Sequence, residues 1–365
     1  MRRRVLTALA VGAILLALTV GTYQGLLARR PLPTIDGYYR LLGLHQRAEV
    51  TRDAFGIPRI EAGDLHDLFF LQGYVTAQDR FAQMEAMRQG PSLVLLDALP
   101  AGDLGVALEA YAEGVTKFIA QHAEARALPA EVALTGRRPA PWTAKDSLAI
   151  LAAYLNRPQA VRCVAIDGGR TVRGRPLLSA ELMHYAPAPG FYEIGLQADE
   201  VRALGTSLPG VPGIVSGHNG EVAWSLLQPD PLLDPIGATL ALVSALTTRD
   251  VAEVSAAFGS IPFCAADTRA VAGPTLDHLD RPFDVELIRS FMDRPRPTDA
   301  GARLIIDLGD LDASKSALST GQSGHPAAFH YLDQRALWEV GQLHALTWTR
   351  EEIARVEGQL VLRAR

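Results

Sequence analysis

Cysteine is scarce in this chain, with Cys163 and Cys264 the only two among 365 residues. Neither sits in a C-x-x-C pair, and no His/Cys cluster has zinc-finger spacing, so the sequence offers no structural zinc centre. Two cysteines also exclude a disulfide framework and leave room for a single bridge between them. An excess of positive charge is missing as well. Lys and Arg number 35 against 40 Asp and Glu, a net charge of −5, which removes the electrostatic footprint of a nucleic-acid binder. Internal repeats and low-complexity tracts are absent. What the chain does have is 48% hydrophobic residues, ample for a real core in about two or three domains or in one large α/β domain.

The first thirty residues, MRRRVLTALAVGAILLALTVGTYQGLLARR, set three arginines ahead of an apolar run from Val5 to Leu27. At about 23 residues that run can cross a hydrocarbon core as a helix. No A-x-A cleavage site follows it. The expectation is a signal anchor over residues 1–30 with its arginines on the cytoplasmic side and the bulk of the chain extracytoplasmic, as in bacterial export. That compartment is oxidising, so Cys163 and Cys264 can pair there.

Beyond the anchor, AEVTRDAFGIPRIEA reads as two short strands around a turn at Asp53 to Gly56. Asp64 or a neighbour caps a helix through DLHDLFFLQGYVTAQDRFAQMEAMRQ, whose apolar residues recur at three and four. A Pro/Gly break from Pro100 to Gly105 precedes a second helix, LEAYAEGVTKFIAQHAEA. Thr143 and Asp146 open a third, AKDSLAILAAYL, with a capping-box pattern. From Val161 onward short β-type runs alternate with Gly and Pro turns, apart from a short helix at RDVAEVSAAFG. Helices first and sheet second reads as α+β.

VTRDAFGIPRIEA, DLFFLQGYVTAQDRFAQMEAMR, LEAYAEGV and PAPWTAKDSLAI together resemble the N-terminal part of the penicillin acylase family of N-terminal nucleophile amidohydrolases. GGRTVRGRPLL, LPGVPGIVSGHNGEVAW and DLGDLDASKSALSTGQSGHPAAFHYLDQRALWEVGQ resemble that family's second subunit and C-terminus. The resemblance runs from about residue 35 to the end. It implies an α/β (α+β) fold, a sandwich of antiparallel sheets flanked by helices. Residues 31–160 would match the helical first subunit, and 161–365 a truncated second one. Family chains are longer; the missing material falls mainly between IPFCAADT and the C-terminal block, with a smaller gap after MEAMRQG, and ordinarily builds much of the acyl pocket.

In the family a serine opens the second chain after self-cleavage, and its hydroxyl attacks the amide while its own freed amine acts as base. That serine stands nine residues before the arginine of a G-S-R-T turn. The same count back from Arg170 in GGRT reaches Val161, which has no attacking atom. The resemblance therefore implies an ancestral hydrolase of linear amides that has lost its nucleophile. Cys163, two residues on and on the same strand face, is the alternative nucleophile; the plain reading of it is a small buried residue of a sheet.

Other positions follow from the same resemblance. The family's oxyanion asparagine comes after a short helix, where this chain has Cys264 and Ala265, and losing such a donor costs about 10²–10³ in rate. The partner backbone donor falls near Gln228. His184 lies one position from the family's active-site histidine. Asp230 and Asp234 stand where many members bind calcium, with altered spacing, and calcium asks for six to eight oxygens. Asp79, Arg80 and Gln83 of AQDRFAQME read as buried helix polar groups, and His218 with Asn219 as a tight turn.

Two other classes compete. A conventional serine hydrolase would use Ser323 with His325 or His330, but GQSGHP lacks the G-x-S-x-G elbow. A non-catalytic membrane-anchored binding protein would use the inherited sheet surface, with a small acyl amide as its ligand and no nucleic acid.

Overall fold

A hairpin opens the folded part of the chain, because Val50 and Ile60 alternate with polar neighbours and pair directly across β2 and β3. The computed structural model describes residues 2–22, 32–88, 100–155, 159–184, 190–227, 234–275, 281–292, 300–349 and 358–364. Ahead of the hairpin come helix α1, Arg2–Thr22, and strand β1, Gly37–Arg40; β2 is Ala48–Arg52 and β3 Pro58–Glu61. Asp53 Oδ1 accepts the N–H groups of Phe55 and Ile57, both at 3.0 Å, and so ties the turn. Gly56 closes it at φ +74, with the His330 ring in the space a Cβ would take.

Four helices follow: α2 Leu65–Arg88, α3 Asp103–Glu124, α4 Ala130–Ala133 and α5 Ala144–Leu155. Asp64 caps α2 as expected, its Oδ1 accepting the N–H of Asp67 at 2.8 Å. α3 starts a turn earlier than its sequence pattern suggests. Leu104, Ala107 and Leu108 continue its buried stripe, so Gly105, read as part of a break, lies inside the helix. α2 and α3 cross closely enough that a Cβ on Gly114 would stand 1.9 Å from the Phe70 carbonyl oxygen. At α5 only the carboxylate half of the capping box forms, with the Thr143 N–H and hydroxyl both donating to Asp146 Oδ2, at 2.7 and 2.8 Å.

The rest of the chain supplies β4 Gln159–Ile166, β5 Leu177–His184, β6 Tyr192–Ala198, β7 Val201–Ser207, β8 Ser216–His218 and β9 Val222–Leu226. Helices α6 Pro235–Ser244 and α7 Val251–Phe258 come next, then β10 Phe263–Asp267, β11 Val271–Ala272, α8 Val285–Phe291 and β12 Ala300–Asp307. Last are β13 Lys315–Leu318, α9 Arg335–Glu339, β14 His344–Ala345 and β15 Gly358–Arg363. Among the described residues they form a ten-stranded sheet, β1-β15-β2-β3-β6-β7-β8-β9-β10-β11, and a five-stranded one, β14-β13-β12-β5-β4.

The large sheet departs from the antiparallel expectation at two places, since β1 runs parallel to β15 and β3 to β6. Between β3 and β6 the chain travels through α2–α5 and the β4–β5 pair, and a long excursion of that kind is what returns a strand in the same direction.

The two sheets face one another through small side chains. Cys163, Ala165, Leu178, Ala180 and Ile306 of the small sheet pack on Ala223, Cys264 and Ala266 of the large one. On the other face of the large sheet α2 lies against β3 and β6, and α7 against β10. α8 covers β12 on the far side of the small sheet. The order is thus helix, sheet, sheet, helix, the layered architecture that the family resemblance implies.

One buried ion pair also spans the sheets: His344 Nε2 of β14 lies 3.4 Å from Glu193 Oε2 of β6. Burial alone would push the His344 imidazole down, but the facing Glu193 carboxylate outweighs it and raises it.

α1 stands apart from these layers. Its segment Arg4–Thr22, of mean hydropathy 2.2 with none of the window buried, is among the described residues the one helix long and apolar enough to cross a membrane.

Candidate functional site

The stretch around residue 161 folds as its pattern suggests. β4 leads into a short turn at Gly168–Arg170, pinned by Asp167 Oδ1 accepting the Gly169 N–H at 2.8 Å and by the Thr171 hydroxyl donating to the Gly168 carbonyl at 3.0 Å. β5 then returns beside β4. Val161 pairs with Leu182 in that ladder, two positions ahead of Cys163, which pairs with Ala180. His184 ends β5 in register with Gln159 and with Ala300 of β12. The backbone therefore places Val161 and His184 near one end of the small sheet, with Cys163 at the middle of β4.

Cys163 is not a free thiol. Its sulfur is bonded to that of Cys264 across the two sheets, with the Cα atoms 6.2 Å apart, and both side chains are buried. Attack on an amide needs a thiolate, and a bridged sulfur supplies none. The disulfide also ties β4 to β10.

Gln228 and Asp230 lie outside the described residues. Asp234 caps α6, its Oδ1 accepting the Ile236 N–H at 2.9 Å, with Pro235 in the first turn.

The AQDRFAQME polar groups are packing elements. Arg52 meets Asp79 Oδ2 at 2.8 Å, and the Tyr192 hydroxyl donates to the same oxygen. Arg80 donates to the carbonyls of Gln322 at 2.8 Å, Phe191 at 3.1 Å and Gly321. Burial lowers Arg80 to about 10, still far above neutrality. Gln83 donates to Gly190 at 2.8 Å. The cluster joins α2 to β2, to β6 and to the GQSG segment at 321–324.

Asn219 builds the turn expected of SGHNG, its Oδ1 accepting from Glu221 at 3.1 Å and Val222 at 3.0 Å. His218 beside it is fully buried against Trp348, with ring centroids 4.6 Å apart. Burial first, then Arg59 and Arg202, lower it to about 3, so it is neutral and carries no proton to a substrate at pH 7.

Among the described residues, the serine-hydrolase candidates make local contacts. Ser323 Oγ accepts the backbone N–H of His325 at 3.0 Å, His325 Nδ1 accepts from Ala327 at 3.2 Å, and His330 Nδ1 faces Asp333 at 2.6 Å. A cavity of about 260 Å³ lies over β2, β3, β6 and β7, lined by Thr51, Arg59, Glu61, Gln197, Arg202 and Trp348 among others; none of the candidate catalytic positions lines it.

Comparison with known proteins decides the family. The penicillin amidase family model matches residues 47–90, 96–159, 163–227 and 288–355, most of the chain. The chain belongs to the penicillin amidase family. An acyl-homoserine lactone acylase, QuiP, of Pseudomonas fluorescens is 24% identical over 310 residues, covering 59% of this chain and 38% of the relative. QuiP of Pseudomonas aeruginosa is 31% identical over 295 residues, covering 53% and 34%. Penicillin acylase 2 proenzyme of a Pseudomonas species is 26% identical over 293 residues, covering 53% and 38%.

These matches reach little more than a third of each relative. Among solved structures, a thermostable penicillin G acylase from Alcaligenes faecalis is similar at 24% identity and a TM-score of 0.27, over 30% of this chain and 72% of that one. The family match has gaps at 160–162, which contains Val161, and at 228–287, which contains Gln228, Asp230, Asp234 and Cys264.

Proposed function

We propose that this protein keeps the acylase scaffold without hydrolysing amides, and that α1 holds it at a membrane as an extracytoplasmic, non-catalytic member of a family that cleaves linear acyl amides. The observation that carries the reading is Val161 at the nucleophile count in β4: two methyl groups can neither attack a carbonyl nor start self-cleavage. The disulfide supports it, using the alternative sulfur of Cys163 as a cross-link. A small acyl amide remains the ligand class to try first, because the similar proteins are named for acyl-homoserine lactones and penicillin.

The full chain, extracted from membranes and measured by intact mass and denaturing gel, should be a single polypeptide with no cut near residue 160. The residues before Val161, Gln159 and Ala160, include no glycine to ease the strained turn that self-cleavage requires. Two fragments, the second beginning at Cys163, would establish a working cysteine nucleophile and overturn the proposal. A soluble form beginning near residue 30 would overturn the membrane part alone.

Val161→Ser should restore no appreciable turnover of penicillin G or of an acyl-homoserine lactone. The serine would arrive without the asparagine donor, and that loss by itself costs about 10²–10³. Turnover within tenfold of an intact relative would show that the remaining machinery is present.

A further inference from the structure

At the start of α2 the chain presents Asp64, His66 and Asp67, and the segment after β1 brings His45 to the same place. One donor atom from each of the four lies within 4.8 Å of all the others. His45 Nδ1 is 3.1 Å from Asp64 Oδ2, and His66 Nδ1 is 3.1 Å from Asp67 Oδ1. On its other side His66 Nε2 is 3.4 Å from Glu113 Oε2 of α3. The two imidazoles stack with centroids 4.0 Å apart and planes 14° from parallel. Asp67 is fully buried and held rigid by the backbone N–H groups of His45 and Gln46.

A neutral imidazole has one N–H, yet both nitrogens of His66 face carboxylates. One of those two contacts therefore opposes a ring lone pair to a carboxylate oxygen unless the ring takes a second proton or a metal ion joins them. Charge counting agrees: among the described residues, the ion pairs of Asp64, Asp67 and Glu113 go to His45 and His66 alone, leaving three carboxylates around two rings. The α2 N-terminus disfavours a cation, and three carboxylates outweigh it.

We propose that His45, Asp64, His66 and Asp67 bind a divalent transition-metal ion of the zinc class. Two imidazoles and two carboxylates are a donor set that zinc accepts in tetrahedral geometry, whereas calcium and magnesium prefer oxygen alone. His66 binds through Nδ1, and Glu113 accepts the Nε2–H and fixes that tautomer, the outer carboxylate that metal-bound histidines commonly have.

Stacked rings cannot both aim a lone pair at one ion, so one must turn. His45, with its side chain 57% exposed, is the one free to do so, while His66 and Asp67 form the fixed half. The site would clip the segment after β1 to the head of α2. Sequence spacing hides it because its two halves stand about twenty residues apart and contain no cysteine.

The test uses the full chain in detergent, without a polyhistidine tag and stripped with chelator, titrated with zinc chloride by calorimetry and followed by thermal unfolding. One saturable site is expected, with a zinc-dependent rise in unfolding temperature. His45→Gln and His66→Gln should each weaken binding by about tenfold or more. His45→Gln should stay folded when metal-free, with no more than a small drop in unfolding temperature from losing its exposed pair to Asp64, so that its lost zinc response reads binding and not folding. No saturable zinc binding, binding kept by both variants, or displacement of zinc by equal calcium would each overturn the site.

Discussion

An Asp79→Ala variant is expected to lose about 3–5 kcal/mol of folding stability, the typical cost of removing one partner of a buried ion pair. Asp79 and Arg52 are both nearly inaccessible to solvent, and the pair joins the centre of α2 to β2 at 2.8 Å. Without the carboxylate, the Arg52 guanidinium keeps the Gly56 carbonyl at 3.1 Å as an acceptor and stays buried with its charge uncompensated. The Tyr192 hydroxyl loses its acceptor at the same time. Asp79→Asn should cost less, since it keeps the shape and one acceptor oxygen. Urea unfolding of the full chain in detergent would read both. A loss under about 1 kcal/mol for the alanine variant, the size expected of an exposed pair, would mean that water reaches Arg52.

The hairpin, the capped start of α2 and the strand–turn–strand around Arg170 were legible because each is encoded within a dozen residues, by alternation, by Asp64 or by glycine. α7 was legible too, with Asp250 accepting the Glu253 N–H at 2.9 Å. What local pattern could not carry is pairing between distant segments. Leu360 of β15 sits opposite Val50 on one side and Gly37 on the other, and nothing near any of these residues announces the partner.

α6 was missed for a different reason. GATLALVS is a short apolar run, and such runs do not distinguish a buried helix from a strand; Asp234, read toward calcium, was its cap. At the candidate site, counting from Arg170 placed residue 161 in β4, and the chemistry at that position follows from residue type alone. The His45 cluster escaped because its donors are assembled by the packing of α2 against the segment after β1.

Loss of the Cys163–Cys264 bridge is expected to be the other large destabilisation. The two cysteines are 101 residues apart, and in the chain-entropy account closing a loop of that size restricts the unfolded chain by about 4–5 kcal/mol. The bridge lies in the apolar layer between the sheets, so native protein should resist reductant until it opens. A Cys163→Ala, Cys264→Ala double variant should therefore unfold at lower temperature than the oxidised parent and be indifferent to dithiothreitol. The parent, reduced under denaturing conditions and refolded, should match the double variant. A difference below about 1 kcal/mol would mean that the sheets stay together in the unfolded ensemble without the cross-link. The same samples probe the chemistry. If reduction frees Cys163 and the protein still hydrolyses no amide, its sulfur serves the sandwich; hydrolysis that appears on reduction and vanishes in Cys163→Ala would instead mean that the bridge had been masking a nucleophile.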